Sequence, residues 1–151
     1  MCSRVSWDWV LLGKSSTKLE QKGVSDEAGI PLWVNEFIRE MDKAFAAADV
    51  IVSRAGAMAI SEICVIAKPA VFVPYPHAAE DHQTSNARNL QDKRAGIMIR
   101  DSEAGEKLVD ELIALLNDWA RREELSRNIA PLGIRNADEV IADTIIRQLG
   151  Q

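Results

Sequence analysis

The run DVIVSRAGAMAISEICVIAKPAVFVP, residues 49–74, decides the fold. Its first five residues, DVIVS (49–53), are short and β-branched, the composition of a strand buried on both faces. AMAISEICVIA (57–67) places Ile60, Ile63, Cys64 and Ala67 at helical spacing, so it reads as a helix with one apolar face. PAVFVP (69–74) is a second buried strand with a proline at each limit. Strand, helix and strand in this order form a βαβ unit, whose right-handed crossover makes the two strands parallel.

The alternation continues on both sides. Upstream, VSWDWVLL (5–12) and IPLWV (30–34) read as strands separated by a polar stretch, and REMDKAFAAA (39–48) reads as a helix burying Met41, Ala44, Phe45 and Ala48. Downstream, a helix is expected from about His82 to Lys93, then a strand GIMIR at 96–100. Ser102 is the expected N-cap of a helix with Leu108, Leu112, Leu115, Leu116 and Trp119 on one stripe. Residues 121–130 read as a short charged helix broken by Gly133. NADE (136–139) has the form of a capping box and opens a last helix with Val140, Ile141, Ile145 and Leu149 inward. The pattern predicts an α/β fold: a Rossmann-like parallel sheet flanked by helices, in one domain spanning 1–151. Every strand then ends at one edge, where such folds bind ligands. The loops after Ser53, after Val73 and around residues 35–38 fall there.

Composition narrows the function. The chain of 151 residues is 47% hydrophobic and 27% charged, as in soluble globular domains. A net charge of −5 argues against nucleic acid as the main partner, because neutralising phosphates needs a basic surface. No apolar run approaches the roughly 18 residues that span a bilayer. The N-terminal apolar stretch is short and broken by Asp8, unlike a signal peptide. Cys2 and Cys64 lack metal-ligand spacing, and Cys64 reads as a small core residue, so a reducing cytoplasm is the expected location. Trp7, Trp9, Trp33 and Trp119 are scattered anchors, and Arg121, Arg122, Glu123 and Glu124 read as a solvated helix face.

Two stretches can carry chemistry. In SRAGAMAISE (53–62) a strand ends, Gly56 turns the chain and a helix starts near Ala57. The free N–H groups and dipole of a helix start favour an anion, and glycine allows a phosphate to approach. Arg54 is either a counter-charge to that anion or the partner of a local carboxylate, and the whole turn is equally compatible with an α/β loop that binds nothing. Glu62, beside the apolar stripe, can accept hydrogen bonds from a ribose diol or simply face solvent. The second stretch is FVPYPHAAEDHQTSNA (72–87). His77 and His82 are five apart with no third ligand, which argues against a metal site. Asp81 is placed to N-cap the following helix, with His82, Gln83 and Asn86 projecting from its first turns. Neutral donors and acceptors there suit a polyol such as a sugar; the alternative is a polar loop with its cap.

Together, ADVIVSRAGAMAISEI (48–63) and KPAVFVPYPHAAEDHQTSNA (68–87) resemble the MurG-type glycosyltransferase family, and the resemblance runs from residue 34 through the final helix. WDWVLLGK (7–14) is similar to the preceding strand of that family. The resemblance implies the C-terminal, donor-binding half of the two-domain GT-B fold. Such enzymes transfer N-acetylglucosamine from UDP-N-acetylglucosamine to lipid I, giving lipid II in peptidoglycan synthesis, without a cofactor or metal. It further implies that Ile38 meets the uracil through its backbone, that Gly56, Ala57 and Met58 hold the diphosphate through main-chain N–H groups, and that Arg54 starts that loop. Glu62 would take the ribose hydroxyls, while His82 and Gln83 would read the sugar; glutamine is common at both positions in some members, so His82 is a substitution. No residue takes a catalytic label, because the family's base belongs to the N-terminal domain, which has no counterpart here. The glycine-rich loop that follows the first strand of the family's C-terminal domain has no counterpart either. The expectation is therefore a partial donor domain, inactive alone. Full-length members lie at the inner face of the cell membrane. A missing domain surface predicts apolar exposure at the N-terminal edge and self-association. The rival readings are a non-catalytic UDP-sugar-binding module or subunit needing a partner chain, and a dinucleotide enzyme. The absence of Gly-x-Gly-x-x-Gly counts against the latter.

Overall fold

The computed structural model describes residues 9–12, 24–25, 31–32, 38–78 and 81–149. In chain order the elements are β1 (Trp9–Leu12), β2 (Val24–Ser25), β3 (Pro31–Leu32), α1 (Met41–Ala47), β4 (Val50–Ser53), α2 (Ala57–Ile66), β5 (Ala70–Phe72), α3 (His82–Asp92), β6 (Ile97–Met98), α4 (Asp101–Asn117), α5 (Trp119–Ile129), a 3-10 turn (Ala130–Leu132) and α6 (Ala137–Leu149).

The βαβ unit forms where the sequence places it. β4 pairs in parallel with β5, Ile51 opposite Ala70 and Ser53 opposite Phe72. α2 ends when Ala67 takes a left-handed conformation (φ 54°) while its N–H bonds Ile63 O at 2.9 Å. Pro69, which cannot continue a helix, then leads into β5. β6 adds in parallel on the far side of β5, Val71 opposite Ile97. The sheet order is β1-β4-β5-β6.

Every residue of β4 and β5 is buried because these strands are covered on both faces, and their side chains alternate between the two. Ile51, Ala70 and Phe72 face α1, α2 and α3, packing with Phe45, Ile63, Cys64, Ala87 and Leu90. Val50, Val52, Val71 and Val73 face the other way, onto Leu115 of α4 and Leu125 of α5. Among the described residues the largest almost wholly buried side chains are Phe72, Ile51, Ile63, Leu115, Ile129, Val50 and Val71. At about 25 cal/mol per Å² of apolar area, each such side chain contributes roughly 1.5–3 kcal/mol against chain entropy.

Several expectations change. β1 runs antiparallel to β4, Trp9 opposite Ser53, so the carboxyl edge is shared by β4, β5 and β6 but not by every strand. An apolar run is compatible with either direction, since both present the same ladder of N–H and C=O groups. Of the strand expected at 30–34 the described residues are those of β3, which pairs antiparallel with β2 in a separate two-stranded ribbon. Residues 5–8, the signal-peptide region, Cys2, Trp7 and Trp33 lie outside the described residues. Ser102 is not the N-cap: the cap position falls two residues earlier, at Arg100, which makes no side-chain cap bond. Trp119 is not on the α4 stripe but opens α5 and is 66% exposed, because Asp118 accepts a bond from Arg121 N (2.9 Å) and starts a new helix. Nor is the charged run wholly solvated. Arg121 pairs with Glu111 at 2.7 Å, and Arg122 donates to Leu116 O and to Leu115 O (3.3 Å), terminal carbonyls of α4. In α6 the expected inward residues Val140, Ile141, Ile145 and Leu149 are all exposed. No described helix is long and apolar enough to cross a membrane.

Candidate functional site

Three loops leave the carboxyl ends of β4, β5 and β6, and the residues singled out for chemistry, Ile38 excepted, lie on the first two or on the helices they lead into. After Ser53 the chain passes through Arg54 and the buried Ala55 to Gly56, which holds the N-cap position of α2 in extended conformation (φ −68°, ψ 146°). The first turn of α2 carries no acidic residue, so its dipole and free N–H groups keep their attraction for an anion. Ala57 and Met58 are exposed there, Met58 to 76%. A Cβ added to Gly56 would meet no atom within 4 Å. Its φ suits any residue, so neither backbone strain nor crowding within the protein demands glycine at this turn. Glu62 stands exposed farther along α2, clear of the buried Ile63 and Cys64.

The β5 loop is tied to the same place. Val73 N donates to Ser53 O at 2.9 Å. Tyr75 N donates to Gln83 Oε1 (2.9 Å), which fixes the Gln83 side chain against the loop that precedes it. Asn86 Nδ2 donates to Ala55 O (3.2 Å), joining the second turn of α3 to the residue before Gly56. Asp81 sits at the N-cap position of α3, but in the left-handed region (φ 56°) and without a side-chain cap bond, so it does not cap as expected. His82, in the first turn, is exposed, and His77 stacks edge-on to Tyr75 with ring centroids 5.7 Å apart.

Of the two roles open to Arg54, the structure shows the pairing with a carboxylate. Its Nη1 forms an ion pair with Asp101, in the first turn of α4, and donates to Val73 O at 3.1 Å and Pro74 O at 3.5 Å. The guanidinium carbon lies 5.8 Å from the Tyr75 ring centroid, within cation–π range. Asp101 escaped the sequence reading because it is 47 residues from its partner. The available signal was positional: an acidic residue at the start of the helix after the third parallel strand falls on the same edge. Ile38 lies three residues before α1, and among the described residues none of the bonds joining these loops involves it.

The candidate residues form an open surface. A shallow groove of about 380 Å³ lies on the flank of α3, lined by Asp81, Thr84, Ser85, Arg88, Asn89 and Asp92, and includes none of them. Among the described residues no three His, Cys, Asp or Glu side chains cluster as metal ligands. Burial pushes the Cys64 thiol above its ordinary pKa, so it stays protonated and packs as an apolar group. A hydrogen bond from Lys107 holds Glu103 below the usual carboxylate range. The chain thus brings a glycine-led helix start without acidic residues in its first turn and the amide-bearing start of α3 to one sheet edge, with the exposed Glu62 farther along α2.

The glycosyltransferase family 28 C-terminal domain matches residues 10–144. A UDP-N-acetylglucosamine--N-acetylmuramyl-(pentapeptide) pyrophosphoryl-undecaprenol N-acetylglucosamine transferase of Porphyromonas gingivalis is 44% identical over 89% of this chain and 36% of its own length. The same-named transferase of Bacteroides thetaiotaomicron is 47% identical over 77% of this chain and 31% of its own. The crystal structure of Acinetobacter baumannii MurG superposes with a TM-score of 0.68 at 33% identity, over 75% of this chain and 34% of that one. The chain spans about a third of the length of these curated relatives.

Proposed function

The chain belongs to glycosyltransferase family 28, by its C-terminal domain, and on that premise we propose that it is the donor-binding part of a hexosyltransferase. It binds UDP-N-acetylglucosamine and, together with an acceptor domain, serves transfer of N-acetylglucosamine to lipid I, giving lipid II in peptidoglycan synthesis. The relatives' names carry that substrate pair. The single observation that carries the site reading is Gly56: a glycine that the protein's own packing does not require, at a helix start facing open space. The N–H groups of Gly56, Ala57 and Met58 receive the diphosphate, and as the bond to the sugar breaks they stabilise the charge that gathers on UDP. Glu62 accepts the ribose hydroxyls, His82 and Gln83 contact the sugar hydroxyls, and the backbone at Ile38 meets the uracil. Arg54 adds positive potential behind the turn while it holds the loop. Acting at the membrane's inner face belongs to the whole enzyme, in company with the acceptor domain. The chain covers about a third of its relatives' length; the reading concerns donor binding, and turnover also requires an acceptor domain. The apolar face of α6 also favours pairing with a second copy.

Calorimetric titration with UDP, UDP-N-acetylglucosamine and NAD tests this reading. Saturable binding of both uridine ligands, none of NAD, and loss of UDP binding in Glu62→Ala are expected. A chain that binds no uridine nucleotide overturns it. Addition of a lipid I analogue to the chain alone is expected to give no product.

A further inference from the structure

We infer that Asp101 is a positioning residue for the donor site, acting through Arg54. The inference rests on the donor-site reading above and concerns how that site keeps its shape. Arg54 follows β4, Val73 and Pro74 follow β5, and Asp101 follows β6. One guanidinium nitrogen therefore reaches acceptors on the loops from all three parallel strands, sharing its two N–H groups among Asp101, Val73 O and, at the longest distance, Pro74 O. The β4 loop is the one that presents Gly56, and the β5 loop is the one whose Tyr75 N–H holds Gln83. The Arg54 latch thus sets the distance between the diphosphate turn and the sugar-reading helix. Asn86 to Ala55 is a second tie between the same two parts.

Asp101 is the charged member of the latch. The Val73 and Pro74 carbonyls are neutral acceptors, and charge-assisted bonds are the stronger and more directional ones. The Arg54 and Asp101 side chains are 28% and 37% exposed, so the pair is partly shielded from water and salt. With Asp101 neutralised, the guanidinium loses its counter-ion and swings toward solvent or toward a bound phosphate. These outcomes have opposite signs for affinity, which makes the inference testable. If Asp101 holds the turn in place, its loss weakens UDP binding. If it only restrains an Arg54 that would otherwise grip phosphate, its loss strengthens it.

The test uses the full 151-residue chain carrying Asp101→Asn, Asp101→Glu, or, as a control at the same helix start, Glu103→Gln. Asp101→Asn is expected to bind UDP and UDP-N-acetylglucosamine roughly tenfold more weakly. Asp101→Glu is expected to recover most of that loss, and Glu103→Gln to show none. Hydrogen exchange gives an arm that needs no ligand. The Val73 and Ile60 amides, which bond Ser53 O and Gly56 O, exchange faster in Asp101→Asn and are restored in Asp101→Glu. Unchanged exchange, or UDP affinity that is equal or higher in Asp101→Asn, overturns the positioning role. A wild-type chain that binds no UDP defeats the donor reading, while the exchange arm still decides whether Asp101 holds the turn.

Discussion

Gly56 separates a ligand role from a folding role at a single residue. At φ −68° alanine is unstrained, and its methyl would touch nothing within 4 Å. Alanine is a poorer N-cap than glycine, but it lowers the entropy of the unfolded chain, so the two effects offset within about 0.5 kcal/mol. Gly56→Ala should therefore leave the thermal midpoint almost unmoved. A methyl in the path of the diphosphate should weaken UDP binding about tenfold by calorimetry, which is about 1.4 kcal/mol. Equal affinity would show that no phosphate comes close to the turn. This residue was legible in the sequence, because a strand, a small turn and a helix start follow one another without a break. Arg54 was legible only in part. Its two roles were both open until the fold brought Asp101 to it across 47 residues, and no local pattern encodes such a pairing.

Elements were legible where burial on two faces writes its own signature, and less so at their ends. The β-branched runs at 49–53 and 69–74 admit one reading, and β4 and β5 match them. Helix ends depend on short-range competition between caps: Asp118 takes Arg121 N–H, so a helix starts at Trp119 and the stripe expected to include that tryptophan stops short. Gly133 shows what a boundary residue can hide. In sequence it reads as a helix breaker, yet its α-carbon packs against α2, where an added Cβ would lie 2.7 Å from Cys64 O and 2.9 Å from the Val65 α-carbon. Those are backbone atoms that cannot rotate away. Gly133→Ala should force α2 and the 3-10 turn apart and cost about 1–3 kcal/mol, the usual range for overpacking. Chemical denaturation followed by tryptophan fluorescence measures it. A midpoint equal to wild type would mean that the two segments are not held this closely. Because Gly133 touches the buried side of α2 and Glu62 lies on its exposed side, UDP affinity at low temperature should survive the substitution.

At the scale of the whole molecule the unresolved demand is α6. Its NADE start and its apolar residues were legible as an amphipathic helix, but what covers that helix is not a property of its own sequence. Val140, Ile141, Ile145, Ile146 and Leu149 are each at least 50% exposed, far more apolar surface than a solvated helix needs. The apolar exposure expected at the N-terminal edge concerns residues largely outside those described, whereas this face is described in full. We propose a second copy of the chain as its occupant. Asp138 and Glu139 lie in the first turn of α6 and Arg147 in the last, so two helices related by a two-fold axis and running antiparallel set each acidic end beside the partner's basic end. The same contact buries both apolar stripes. Sedimentation velocity across a concentration series should then show a monomer–dimer equilibrium. The pair Ile141→Glu and Ile145→Glu should shift it to monomer by placing four carboxylates in one apolar seam, while leaving UDP affinity unchanged, since α6 carries none of the donor-site residues. Raising salt should leave most of the dimer intact, because burial of the apolar stripes rather than charge supplies most of its stability. A wild-type chain that remains monomeric at high concentration would remove the second copy as the partner of this face.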